Sequence, residues 1–267
     1  LEVMLEFIDT HNHVGLASLG ETLEAVAAKS KAAGVRCAVI TCGGADDFER
    51  AAEAARALHW GYCVGLHPLY LSESSFEDLK RLRAFALSHR DDPHLVGIGE
   101  IGLDFYVEGL DRQRQERVFK EELALAQEFN LPVSVHSRRA LFKVMECLAA
   151  YPGIKGALHA FSGSVEQAKD AASKGFYLGF GGALTYPGSK RVRACAKVLA
   201  AEHLLLETDA PDMAPAFRSE GPSHPADLPA YLEELSRIRA ESSDTLSAVI
   251  YRNSLNAFPK LAALVAQ

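Results

Sequence analysis

Short runs of β-branched and aromatic residues alternate along the chain with stretches rich in Ala, Glu, Arg and Leu, whose apolar positions recur at helical spacing. The apolar runs begin near Phe7 (FIDT), Arg36 (RCAVIT), Gly61 (GYCVG), Leu95 (LVGIG), Pro132 (PVSV), Ile154 (IKGAL), Phe176 (FYLGF) and His203 (HLLLE), and each predicts a strand. Helices are predicted between them at 20–33, 46–58, 75–90, 112–130, 138–151, 164–174, 189–200 and 226–240, with a last helix at about 244–256 and a C-terminal tail. Eight strand–helix units in succession predict a single-domain (β/α)8 TIM barrel over residues 1–267 with an extra C-terminal helix. The nearest rival is an open doubly wound sheet, which usually carries a Gly-rich phosphate loop after its first strand. Here the first strand runs into His11-Asn12-His13 instead. No Pro/Ser/Gly linker divides the chain. The longest irregular stretch, Ala210 to Ala226, follows strand eight, and a loop of that length is usually functional.

Composition narrows the classes. With 48% hydrophobic and 24% charged residues, the 267-residue chain is expected to fold around a large core. No apolar run reaches membrane-spanning length. A net charge of −7 argues against a protein that coats nucleic acid by bulk electrostatics. It leaves room for a local phosphodiester site in which metal ions supply the positive charge. Cys37, Cys42, Cys63, Cys147 and Cys195 form no CxxC pair, as expected for small buried residues in a reducing compartment. The N-terminal residues lack the basic stretch and long apolar run of a signal peptide, so a natural start at Met4 and a cytoplasmic protein are expected. No membrane association and no obligate protein partner are expected.

In such a barrel the active site is built at the C-terminal ends of the strands. Strand one ends in Asp9-Thr10-His11-Asn12-His13, strand three in Gly65-Leu66-His67-Pro68 and strand four in Gly99-Glu100-Ile101-Gly102-Leu103-Asp104. Strand five ends in Val135-His136-Ser137-Arg138, strand six in Leu158-His159-Ala160-Phe161-Ser162-Gly163 and strand eight in Glu207-Thr208-Asp209-Ala210-Pro211. His11 and His13, two apart on a strand, point to one side and can face one ion. An HxH pair alone is a weak signal, and a lone His136 or His159 is more often a hydrogen-bonded core residue. The set at the strand ends carries the inference, since only 10 of 267 residues are His.

Imidazole suits zinc and other first-row metals, and carboxylates suit magnesium and manganese as well. His11, His13, Glu100, His136, His159 and Asp209 exceed one tetrahedral site with an open position. Two divalent ions (Mg, Mn or Zn) bridged by Glu100 account for them better. Such a pair activates a water near neutral pH and clamps phosphoryl oxygens. Asp209 is the expected general base. Glu207, two residues earlier, is expected to orient a ligand from behind. His67, Arg138, Asp104 and Ser162 are the expected substrate binders: Arg138 offers a planar fork for phosphate, and Ser162 with Gly163 is expected to open the helix after strand six. Arg218, in the long loop, is placed either on a second phosphate or in solvent.

The segments DTHNH, GLHP, GEIGLD, VHSRRA, HAFSGS and ETDAPDM, in this order, resemble the TatD family of metal-dependent deoxyribonucleases within the amidohydrolase superfamily. The resemblance spans Phe7 to about Phe258. It implies a TIM barrel, a two-metal centre and hydrolysis of phosphodiester bonds in DNA, at single-stranded ends. By motif, His11 and His13 match the HxH ligands, Glu100 the bridging carboxylate, His136 and His159 the later histidines, and Asp209 the Asp of the TDAP segment. The loop after strand eight departs from the family pattern. Ser223 stands where an Asn is expected, and most of the basic charge is missing. The alternative function is a metal-dependent deacylase or amidohydrolase acting on an ester or amide such as aminoacyl-tRNA. Many amide-cleaving relatives use a carboxylated Lys on strand four, and no Lys stands at a strand end here. A non-catalytic barrel is disfavoured by the complete ligand set.

Overall fold

Eight parallel strands pair in chain order: β1 (Phe7–Asn12), β2 (Val35–Thr41), β3 (Gly61–Val64), β4 (Leu95–Asp104), β5 (Val133–Arg138), β6 (Gly156–Leu158), β7 (Tyr177–Phe180) and β8 (Leu204–Leu206). The structure is a computed structural model describing residues 5–266. The start expected at Met4 lies outside the described residues, as do residues 1–3 and 267. Helices α1 (Leu23–Ala32), α2 (Phe48–Leu58), α3 (Ser75–Ser88), α4 (Arg112–Phe129), α5 (Leu141–Ala149), α6 (Val165–Ser173), α7 (Lys190–Val198) and α8 (Leu228–Arg239) cover the outside. Two more follow: α9 (Ser243–Ala257), the expected last helix, and the short α10 (Leu261–Val265), where a tail was expected. This is the nearly closed (β/α)8 barrel that the alternation predicts, with the extra helix at its C-terminal end. None of the described helices is long and apolar enough to cross a membrane.

The strands are buried on both faces, which is why they read as nearly continuous apolar runs. In β2, Cys37, Ala38, Val39 and Ile40 are all inaccessible to solvent. Helix ends are set by local chemistry. Asp111 accepts from Arg114 N (2.9 Å) to start α4, and Asn130, in the left-handed conformation, ends it. Ser164 starts α6 through a reciprocal pair with Gln167. The helix therefore begins after Ser164, not at Ser162 and Gly163 as expected. β5 begins one residue later than predicted, because Pro132 has no N–H for the ladder. Its carbonyl still accepts from Ile98 N (2.8 Å).

β8 returns to β1 mainly through bonds beyond its own end. Asp209 N donates to His11 O (2.9 Å) and His13 N to Ala210 O (2.7 Å). Asp9, wholly buried on β1, accepts from Thr208 N (2.9 Å) and from Thr208 Oγ1 (2.5 Å). Asn253 on α9 donates to Ala201 O (2.8 Å) and Leu204 O (2.9 Å), fixing the entry to β8. The seam of the barrel thus lies directly beneath the residues that end β1 and β8.

Candidate metal centre

Glu100, on β4, is the hub. Its side chain is 3% exposed, and its two oxygens address different groups. Oε2 lies 3.2 Å from His11 Nε2 and 3.6 Å from His13 Nε2. Oε1 lies 3.0 Å from His136 Nδ1, 3.0 Å from His159 Nε2 and 3.1 Å from His67 Nε2. Asp209 Oδ1 lies 3.2 Å from His13 Nε2 and 3.5 Å from His11 Nε2. Its backbone is left-handed at φ 57°, a costly conformation for a non-Gly residue that turns the carboxylate back over β1. Three donor groups of metal-binding dimensions share these residues: His11–Glu100–His159, His11–His13–Asp209 and His67–Glu100–His136.

Proton positions sort the ligands from the donors. His13 Nδ1 faces the carbonyl of Thr41 (2.9 Å), which only accepts, so the lone pair sits on Nε2 and points at Glu100 and Asp209. His136 Nε2 faces Asp104 Oδ2 (3.0 Å), so its lone pair sits on Nδ1, toward Glu100. His67 is reversed. Its Nδ1 accepts from Leu69 N (3.1 Å), so the ring proton sits on Nε2 and is donated toward Glu100. His67 thus presents a donor toward Glu100, whereas His13 and His136 each present a lone pair that an ion could meet. His11 Nδ1 meets Ser134 Oγ (2.9 Å), and its ring stacks on His159 at 3.8 Å between centroids. The donor set therefore fits divalent ions, with each oxygen of one carboxylate turned to a different group of imidazoles.

The charges follow from the same geometry. Burial opposes ionisation of Glu100, but the surrounding imidazoles His67, His159 and His11 outweigh it and hold the carboxyl well below its usual range. Burial likewise disfavours the charged form of His13, yet its bond to Asp209 and the charge of Glu100 lift it to about 9. The carboxylates retain their negative charge and draw cations into the site. In the protein without metal, protons take that place.

The residues expected behind the ligands are brought there. Glu207 accepts from Ala160 N (2.5 Å), and its Oε1 lies 3.4 Å from His159 Nδ1. Gly179 on β7 leaves space for it, since a Cβ there would stand 2.1 Å from Glu207 Oε2. Asp104 is buried, with Oδ1 accepting from Tyr106 N (3.0 Å) and Val107 N (3.2 Å) and Oδ2 facing His136. It also lines the cavity above the centre, with both oxygens engaged by the protein. Arg218 bonds Asp227 and the Pro222 carbonyl and is turned into its own loop, away from any second phosphate. Ser223 is buried beneath the same loop, with its hydroxyl on Thr208 O and Asp212 O.

Other contributors carried no motif signal that singled them out. Asp9, with burial lifting its carboxyl to about 7 despite the Thr208 bonds, ties His11's strand to the Asp209 turn. Thr41 fixes His13, and Ser134 holds His11. Glu122 on α4 accepts from Leu66 N (2.6 Å), steadying the residue before His67. Above the centre opens a cavity of about 690 Å³, lined by the site residues other than His11 and Glu207 and by Leu16, Tyr70, Ser137, Arg138, Ser162 and Met213. Ser162 therefore reaches the cavity, although not from a helix terminus. The Arg138 guanidinium lies flat on the Tyr106 ring, 3.7 Å from its centroid.

The family model described as TatD related DNase matches residues 8–259. The chain belongs to that family. An uncharacterized metal-dependent hydrolase of Escherichia coli K12, YjjV, is 33% identical over 96% of this chain and 99% of its own length. The crystal structure of that TatD homolog superposes with a TM-score of 0.90 at 32% identity, covering 96% of this chain and 99% of the other. A 3'-5' ssDNA/RNA exonuclease TatD of Erwinia tasmaniensis is 32% identical, over 86% of this chain and 91% of its own. The TatD barrel is thus preserved along nearly the full length, and this member is a metal-dependent hydrolase with candidate metal-binding groups at its centre.

Proposed function

We propose that residues 1–267 form one barrel domain that hydrolyses phosphodiester bonds at the ends of single-stranded nucleic acid, DNA foremost, using two divalent ions drawn from Mg, Mn and Zn. The observation that carries this is Glu100, whose two oxygens divide the imidazoles into two groups. His11, His13 and Asp209 with Glu100 Oε2 would hold one ion, and His136 and His159 with Oε1 the other. When bound, the ions supply Lewis acidity and lower the pKa of a water. The chain's residues do the rest. Asp209, ionised and lining the cavity, takes the proton from the attacking water. Asp104 and Glu207 hold the rings of His136 and His159 from behind. His67 Nε2–H, which faces Glu100 in the structure, would turn to an oxygen of the phosphodiester, and Arg138 and Ser162, which also line the cavity, would offer further donors. The likeness to the 3'-5' ssDNA/RNA exonuclease TatD of Erwinia tasmaniensis supports a single-stranded substrate. Five buried, unpaired cysteines support a reducing, cytoplasmic setting.

The test is an end-labelled single-stranded DNA assay on protein stripped of metal and resupplied with Mg, Mn or Zn, with Asp209→Asn in parallel. The expected result is metal-dependent shortening, reduced about 10²- to 10⁴-fold in the variant. If protein shown to bind two ions cleaves no strand with any metal, the ester or amide reading replaces this one.

A further inference from the structure

The cavity wall has two characters. On the β5–β6 side stand Ser137, Arg138 and Ser162, which donate hydrogen bonds. On the β1, β3 and β8 side Leu16, Leu69, Tyr70 and Met213 supply apolar surface, alongside the carboxylates of Asp47 and Asp212. A site for phosphate alone needs no such apolar wall. Tyr70 is its most prominent member, 70% exposed although it lines a cavity. It is not a loose surface ring. It ends a short 3₁₀ helix (Pro68–Tyr70), with its N–H on His67 O (3.0 Å). Its ring packs against the His67 ring, 5.3 Å between centroids. It also lies against Gly43, where a Cβ would come within 3.0 Å of it. Gly43 in turn receives His67 N on its carbonyl (2.9 Å). The ring is therefore held in place on a rigid support beside the proposed phosphate donor, while most of its surface stays open.

We propose that Tyr70 is the stacking platform for the nucleobase adjacent to the scissile phosphodiester. Resting on the phosphodiesterase reading above, this deepens it: the base lies on the apolar side, and the sugar–phosphate backbone runs along Arg138 and Ser162. Stacking on an aromatic ring tolerates every base, because each has a π-face, so the platform selects for nucleic acid without selecting sequence. It also demands that the base be unstacked from its neighbours, which a single strand allows and a duplex resists.

The test compares wild type, Tyr70→Ala and Tyr70→Trp, each loaded with the metal that supports cleavage. One substrate is an oligothymidylate. The other is the same length with abasic nucleotides at both ends. Tyr70→Ala is expected to raise KM on oligothymidylate about 5- to 150-fold, with kcat within about twofold. Tyr70→Trp is expected to retain the wild-type KM, and the abasic strand to show one KM for all three proteins. Quenching of a terminal 2-aminopurine in an uncleaved phosphorothioate strand gives a second readout, present with Tyr or Trp and lost with Ala. Cleavage with the same KM for Ala and Trp on oligothymidylate overturns the platform and leaves the phosphodiesterase reading standing. Absence of any cleavage by wild type overturns both.

Discussion

Asp104→Asn separates orientation of a ligand from contact with substrate. Asn matches Asp in size, but one of its two terminal atoms becomes an obligatory donor. If the amide nitrogen took the place of Oδ1, it would face the N–H groups of Tyr106 and Val107, now bonded at 3.0 and 3.2 Å, and both bonds would be lost. The amide nitrogen is therefore expected in place of Oδ2, 3.0 Å from His136 Nε2. A donor there makes Nε2 accept, which moves the His136 proton to Nδ1. The lone pair facing Glu100 disappears, and the ring can no longer serve as a ligand without rotating. Loss of such a supporting group typically costs about 10- to 100-fold in metal affinity or activity, or about 1.4–2.7 kcal/mol. Chelator competition on the purified variant measures the affinity, and KM and kcat on single-stranded DNA are read from the same sample. The expected outcome is weaker binding of one ion and lower kcat, with an unchanged melting temperature in the absence of metal. Wild-type metal affinity with a raised KM alone would refute the reasoning and return Asp104 to substrate binding.

Three further substitutions probe the surroundings. Glu100→Ala is expected to remove at least one ion per chain by elemental analysis, and full metal content in that variant would sink the bridging role. Gly179→Ala drives a methyl into the Glu207 carboxylate, so it should cost about 1–3 kcal/mol by urea unfolding and weaken metal binding with no change at the cavity mouth. Glu122 is fully buried, and burial holds its carboxyl well above the usual range despite the Leu66 bond. The folded protein keeps a proton that the unfolded chain releases above about pH 4.3, so this group's contribution falls as pH rises. Glu122→Gln, which cannot ionise, should therefore gain stability over wild type by about 1.4 kcal/mol per pH unit above that point, until the folded carboxyl itself ionises. Equal stability differences at pH 5 and pH 8 would contradict this.

Strand positions were legible because parallel strands buried on both faces leave dense apolar runs, and the candidate ligands were legible because barrel chemistry collects at the ends of those runs. Period-two alternation was enough to place His11 and His13 on one side. It was not enough for Asp104. That residue shares parity with Glu100, but its partner is decided by the pairing of Gly102 with His136 on the next strand. The Ser162 misplacement had a local remedy: Ser164 precedes Gln167 by three residues, the spacing of a capping box. Asp9 had none, because the groups it bonds at Thr208 are 199 residues away. The roles of His67 and His13 differ only in which nitrogen meets a backbone group, and no periodicity records that. α10 is too short to leave a helical pattern, although Leu261 and Leu264 are buried.

The Asp9–Thr208 tie has a consequence for how the protein comes into being. Ring closure and completion of the metal centre are one event, since the same bonds that bring β8 to β1 carry Asp209 to His11 and His13. A chain emerging from the ribosome holds seven strands and most of the histidines before it holds a working site. Every N-terminal fragment that stops short of residue 209 lacks Asp209, the proposed base. On the proposed reading, the base joins the other candidate ligands only where the ring closes.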